Sequence, residues 1–291
     1  MEPLLGPGDL ELMRILELSA RRRLAGQATG EQRSPAMGGG IEFADYREYV
    51  PGDDVRQVDW SVFLRFRKLL VKLCAEEKEL TLMVLVDTSA SMAYGSPTKL
   101  RTSQRIAAVL GGIALASGNR AGLLSWGGEL TEVLAPVRGS REVPRFGDRV
   151  SRLEAGSQNR PLDCARAFAT RYHRRCLAVL VTDLLHPDWD QALTGLAASD
   201  CEAHVVQVLA PEEWDPPFRG EVTLVDQETG TEAPVLVDFP LLERYRAEVD
   251  RWTSEVASRC RAAGLGYTLV RSDGPLPRIF LEEFRKAGLV C

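Results

Sequence analysis

The stretch Val84–Met92 reads V-L-V-D-T-S-A-S-M. An apolar run ends in a carboxylate, Asp87, and hydroxyls follow at Ser89 and Ser91. On a loop curving away from a strand end, oxygens at positions i, i+2 and i+4 can face one centre. A second apolar run, Leu177–Val181, ends in Thr182 and Asp183. Ligands of open α/β sheets bind outside the carboxyl ends of the strands. If these two strands are neighbours, both aspartates face one small volume. Carboxylates joined by neutral hydroxyls make a hard, oxygen-only donor set, suited to Mg²⁺ or Mn²⁺. So little negative charge leaves such an ion electrophilic, able to accept a further carboxylate from elsewhere. Two other readings stand beside this one. Ser89 or Ser91 can cap the following helix while Asp87 accepts loop N–H groups. Asp87 can also serve as a phosphotransfer nucleophile, which makes a metal-dependent phosphohydrolase the enzymatic alternative.

The nucleophile reading has less to stand on. Haloacid-dehalogenase-like phosphatases place a second aspartate two residues after the first, where this chain has Ser89. For serine–histidine chemistry the chain offers His173, His186 and His204, none in a nucleophile motif, and it has no G-x-S-x-G elbow. Gly38–Gly40 lacks the G-K-[ST] ending of a phosphate loop. Lys99, after Pro97-Thr98 at a helix start, is expected to be ordinary surface.

The elements that must position these residues follow from hydrophobic period. Strands are expected at 80–86, 121–126, 177–182, 203–209 and 266–270, with helices at 98–117, 141–153, 161–173, 188–198, 240–263 and 277–287. The runs 82–86 and 177–181 are almost continuously apolar, as in parallel strands covered on both faces. Repeated βα units predict an open, doubly wound, mostly parallel α/β sheet. Segment 211–238 interrupts the alternation and reads as a β-insertion, a hairpin turning near Glu228-Thr229-Gly230. Before the sheet, residues 8–23 carry apolar residues at Leu10, Leu12, Met13, Leu16 and Leu18, an amphipathic helix ending in Arg21–Arg23. Residues 24–40 read as loop. The segment Val62–Leu80 reads as strands, with a turn at Glu76-Glu77-Lys78. The expected division is an N-terminal helix and β-rich segment, 1–77, and an α/β domain, 78–291.

Composition narrows the class. Of 291 residues 45% are apolar and 26% charged, an ordinary globular balance. The net charge of −5 argues against a nucleic-acid binder, and the cluster Arg65, Arg67, Lys68, Lys72 reads as a solvated surface. The six cysteines form no C-x-x-C pair. Free thiols are expected, with Cys176 and Cys201 packing as small hydrophobes, rather than a disulfide framework. The start of the chain lacks a basic segment followed by an apolar core, and no apolar run is long enough to span a bilayer. The expectation is a protein of a reducing cytoplasm without an integral membrane segment.

D-T-S-A-S after an apolar strand resembles the metal-ion-dependent adhesion site of von Willebrand factor A domains. The string G-I-E-F-A-D-Y-R-E-Y-V-P-G-D-D-V-R-Q-V-D-W at 40–60, followed by L-L-V-K-L-C-A-E-E-K-E and V-L-V-D-T-S-A-S-M, resembles the domain of unknown function 58 family. Members are typically bacterial, similar to von Willebrand factor A domains, and often encoded beside MoxR-type AAA+ ATPases. The resemblance covers residues 35 to 291. It implies a Rossmann-like doubly wound fold and a non-enzymatic interaction or assembly module, with a MoxR-type AAA+ ATPase or its client as protein partner. It places Asp87, Ser89 and Ser91 in the first metal motif and Asp183 as the later strand-end aspartate, with Mg²⁺ (or Mn²⁺) as the ion. The family pattern also expects a loop threonine. The matching region, E-A-G-S-Q-N-R-P-L-D-C-A-R-A-F, has none, and Asn159 is assigned the role, with Ser157 and Gln158 as alternatives. Without that threonine, a metal-independent scaffold is the alternative function.

The block at 42–60 mixes Glu42, Arg47, Glu48, Asp53, Asp54, Arg56 and Asp59 with Phe43, Tyr46, Tyr49 and Trp60. The aromatics need cover. An ion-paired lid on the sheet domain and a partner-docking surface both meet that need.

Overall fold

The computed structural model describes residues 4–16, 18, 41–50, 55, 58–76, 80–156, 158–172, 176–227 and 230–291. They fall into two compact units, residues 26–79 and residues 1–25 with 80–291. The N-terminal helix, grouped in sequence with 1–77, thus clusters with the sheet.

The larger unit is built on six strands: β3 (Thr81–Asp87), β4 (Arg120–Trp126), β5 (Leu130–Arg138), β6 (Leu177–Thr182), β7 (Glu202–Leu209) and β10 (Gly266–Arg271). Their order is β10-β7-β6-β3-β4-β5, parallel throughout except for the edge strand β5. Chain order therefore reverses direction at the β3–β6 pair, the switch point of a doubly wound sheet. Alternation along each strand feeds two cores. Leu82, Val84 and Val86 of β3, with Leu177, Val179 and Val181 of β6, face one; Met83, Leu85, Ala178 and Leu180 face the other. Helices α1 (Pro7–Ile15), α3 (Lys99–Ala116) and α4 (Val143–Ser151) cover the first face. Helices α5 (Pro161–Arg171), α6 (Trp189–Ala197) and α7 (Phe239–Ala262) cover the second. A separate hairpin, β8 (Gly220–Val225) with β9 (Glu232–Val237), occupies the expected insertion.

The smaller unit pairs β1 (Ile41–Glu48) antiparallel with β2 (Leu70–Glu76). Between them Trp60–Phe66, expected as strand from Val62 onward, forms helix α2. Asp59 decides this locally: its carboxylate accepts from the backbone N–H of Ser61 and Val62, which the first helical turn leaves unpaired. Its other oxygen accepts from the Tyr46 hydroxyl at 2.8 Å. Arg65, Arg67 and Lys68 are exposed, as expected, while Asp53, Asp54 and Arg56 lie outside the described residues.

Three further expectations change. Helix α1 ends at Ile15, where Leu16 turns extended, and Leu18 forms a bridge to Val290; the anticipated continuation through Arg21–Arg23 lies outside the described residues. Strand β5 was not anticipated. Cys176 and Cys201 are joined in a disulfide rather than free. They stand one residue before β6 and β7, so adjacent parallel strands bring their Cα atoms to 4.6 Å. Closing a loop between residues 25 apart contributes on the order of 3 kcal/mol through the unfolded chain.

Helix α3 is buried along nearly its whole length and carries Gly111 and Gly112 mid-helix, each costing about 1 kcal/mol against alanine in propensity. Close packing explains them. A Cβ on Gly111 would lie 2.1 Å from the buried ring of Phe146 in α4, and one on Gly112 would lie 2.4 Å from the Met13 sulfur in α1. Gly111→Ala should therefore lower unfolding free energy by about 2 kcal/mol, despite alanine's better propensity. Urea denaturation checks this, and an unchanged or raised midpoint would contradict the packing argument.

Candidate functional site

The ends of β3 and β6 lie side by side, with Val86 in register with Val181. Asp87 and Asp183 therefore emerge at one edge, and both are buried. Each carboxylate accepts from a backbone N–H of its own loop, and Asp87 also from the neighbouring strand. Asp87 Oδ1 accepts from Ser89 N–H at 2.8 Å, and Oδ2 accepts from the Thr182 hydroxyl at 2.5 Å. Asp183 Oδ1 accepts from Leu185 N–H at 3.0 Å. Between them Leu184 is buried at φ 59°, a left-handed conformation rare for a branched side chain. The turn is supported from β7, where Gln207 donates to the Asp183 carbonyl and accepts from the Tyr267 hydroxyl.

Ser89 and Ser91 complete the cluster. Their hydroxyl oxygens lie 3.1 Å apart, so positions i+2 and i+4 do converge. Neither serine acts as a side-chain cap: the short helical turn Ala90–Ala93 has no side-chain cap at Ser89, and α3 is capped by Thr98, which accepts from Arg101 N–H. The loop bearing Asn159 is tied alongside. Gly156 N–H donates to the Thr88 carbonyl and Arg160 N–H to the Gly127 carbonyl. Asn159 Oδ1 is buried without a hydrogen-bond partner among the described residues. Gln158 is exposed, and Ser157 lies outside the described residues.

Lys99 is the correction at this site. It is not surface: it has 0% exposure, and its ammonium donates to Asp183 Oδ2 at 2.7 Å and to Glu213 Oε1. Glu213 sits on the helical turn Pro211–Trp214 after β7 and was not singled out in the sequence. Its Oε2 accepts from Ala210 N–H at 2.8 Å. Gly95, at φ 96°, lets the loop before α3 approach this turn, since a Cβ there would lie 2.8 Å from that of Ala210.

The charges are unequal. Burial first, then the neighbouring charge of Asp183, raise Asp87 to about 7 against the hydrogen bonds from Ser89 and Thr182. Burial alone would push Lys99 down, but Asp183 and Glu213 raise it above its ordinary value, so it stays a cation. Burial also raises Glu213, with Lys99 opposing. Asp87 is thus the carboxylate whose charge is least compensated.

These features fit a hard divalent ion. Ser89 bonds the Asp87 carboxylate and its hydroxyl meets that of Ser91, Asp183 is the neighbouring second carboxylate, and the loop tied to Thr88 carries the orphaned acceptor of Asn159. Asp183 is at the same time engaged by Lys99. No group of three or more His, Cys, Asp and Glu ligands is present among the described residues, so any such ion would depend on hydroxyl and amide oxygens.

The strand order and the antiparallel edge strand, with the D-x-S-x-S turn at the switch point, define an open, doubly wound, mostly parallel α/β domain. The chain belongs to the family described as "Protein of unknown function DUF58", whose model matches residues 45–254. Relatives include "Uncharacterized protein Mb1516" of Mycobacterium bovis and "Uncharacterized protein Rv1480" of Mycobacterium tuberculosis. Each is 30% identical over 269 residues, spanning 90% of this chain and 84% of its own. Among solved structures, BatB from Bacteroides thetaiotaomicron aligns at 15% identity and TM-score 0.45, covering 72% of this chain and 98% of its own. A von Willebrand factor type A protein from Catenulispora acidiphila aligns at 14% identity and TM-score 0.40, covering 76% and 43%. Among the described residues, no helix is long and apolar enough to cross a membrane.

The raised Asp87 makes a signed prediction. A carboxyl whose folded value lies above its unfolded one, here about 7 against 3.8, weakens the fold progressively as pH rises between those values. In EDTA the loss from this group is on the order of 4 kcal/mol by pH 8. Asp87→Asn should remove it, so the variant melts above wild type at pH 8 and the difference shrinks toward pH 4. Parallel pH–melting curves for the two proteins would contradict the assignment.

Proposed function

We propose that this protein is a non-enzymatic interaction and assembly module that docks a partner at the carboxyl edge of its sheet. A divalent ion, Mg²⁺ or Mn²⁺, is held by Asp87, Ser89 and Ser91, with Asp183 and Asn159 contributing directly or through water. A partner's Asp or Glu side chain completes its shell. The bound ion supplies Lewis acidity toward that carboxylate. This chain's residues orient it, and the flanking strands fix their spacing. By the resemblance of the 40–60 string, the partner is a MoxR-type AAA+ ATPase or a client it remodels.

The observation that carries this reading is the pairing of two strand-end aspartates at the sheet's switch point, with the joined hydroxyls of Ser89 and Ser91 beside Asp87. One observation favours a second reading, a metal-independent scaffold: Lys99 already brings a positive charge to Asp183.

Calorimetric titration of Mg²⁺ and Mn²⁺ into EDTA-stripped protein separates the two. The metal-dependent reading expects binding heat in wild type that is absent in Asp87→Ala, with the variant still folded by circular dichroism. It also expects Asp87→Ala to weaken partner capture by about tenfold or more, the scale of one lost charge-assisted contact. No heat from wild type up to millimolar ion, with partner binding intact, would contradict it and leave the scaffold.

A further inference from the structure

Lysine is almost never fully buried, and a cation at the first position of a helix opposes the helix dipole. Lys99 does both. Its ammonium lies between two carboxylates on different loops, Asp183 after β6 and Glu213 after β7. The Glu213 end is firmly set. Its carboxylate is anchored by Ala210 N–H, and its backbone carbonyl accepts from the Tyr245 hydroxyl of α7 at 2.7 Å. The Asp183 end is shared, because that carboxylate also neighbours Asp87 at the adjacent strand end and acts on its charge. In a buried site, two positive charges on one carboxylate repel strongly.

We propose that Lys99 is a built-in competitor for the divalent ion: its ammonium neutralises Asp183 when the metal is absent, and withdraws onto Glu213 when the metal binds. The inference rests on the reading of this edge as a metal site and says how that site is regulated. Metal affinity is set by how readily Lys99 leaves Asp183, and Glu213 is the acceptor that makes leaving possible. Occupancy is thereby linked to the Pro211–Trp214 turn. The adjoining Asp215 is ion-paired with Arg246, next to Tyr245, on the exposed side of α7.

The two partners of the ammonium predict opposite effects. Mn²⁺ titrations, by calorimetry and by the electron paramagnetic resonance of free Mn²⁺, would compare wild type, Lys99→Met, Glu213→Gln and the double variant Asp87→Ala with Lys99→Met. Lys99→Met should bind Mn²⁺ about tenfold or more tighter than wild type, from loss of one buried like charge. Glu213→Gln should bind more weakly than wild type, and the double variant should not bind. A purely structural role for Lys99 would weaken binding in both single variants. Equal or weaker binding by a folded Lys99→Met overturns the competitor role while leaving the metal site in place. Absence of binding in wild type and Lys99→Met alike overturns the metal reading itself, and the inference with it. Should Lys99→Met fail to fold, Glu213→Gln decides: affinity equal to or above wild type overturns the proposal.

Discussion

The buried carboxylates of Asp87 and Asp183 and the partly buried one of Glu213 lie at the carboxyl edge of the sheet, where among the described residues one ammonium, that of Lys99, pairs with Asp183 and Glu213. A site short of positive charge in a low-dielectric setting is costly unless each group is paired or hydrogen-bonded. Much of the local architecture answers that cost. Thr182 and the Ser89 amide serve Asp87, the Leu185 amide and Lys99 serve Asp183, and the Ala210 amide serves Glu213. The strained Leu184 backbone is held in place by the same network. What stays uncompensated is the charge on Asp87, and that is where an added cation or a proton gains most.

Two flanking cores make this arrangement rigid. Because β3 and β6 alternate their side chains between helix layers on opposite faces, a slip of either strand would move its apolar residues to the wrong core. Register is therefore fixed, and with it the offset of Asp87 from Asp183. Helix α3 does double duty. Its glycines admit Phe146 and Met13 to a close approach, and its first residue delivers the buried ammonium.

The fold was largely legible in the sequence because the evidence was local. Apolar runs such as Leu177–Val181 mark strands covered on both faces, and strand–helix alternation implies the doubly wound order. Strand β5 escaped because Pro136 breaks its pattern; its edge position tolerates the missing donor. Helix α2 was misread because Trp, Val and Phe carry strand preference, while one capping carboxylate at Asp59 outweighs them. At the site, Asp87, Ser89, Ser91 and Asp183 were visible as strand-end motifs. Lys99 was not, since its partners lie 84 and 114 residues away and nothing in a lone lysine announces burial. The Cys176–Cys201 pair was missed for a similar reason: only the parallel pairing of β6 and β7 brings residues 25 apart together.

On this reading the edge is a cation site shared between a tethered ammonium and a divalent ion. Crystals equilibrated with Mn²⁺ and measured at the manganese absorption edge test it most directly. An anomalous peak is expected about 2.1 Å from oxygens of Asp87, Ser89 or Ser91, the spacing of a small octahedral ion. The Lys99 ammonium is expected to be displaced from Asp183 toward Glu213. No peak at millimolar Mn²⁺, or a peak with Lys99 still on Asp183, would contradict it.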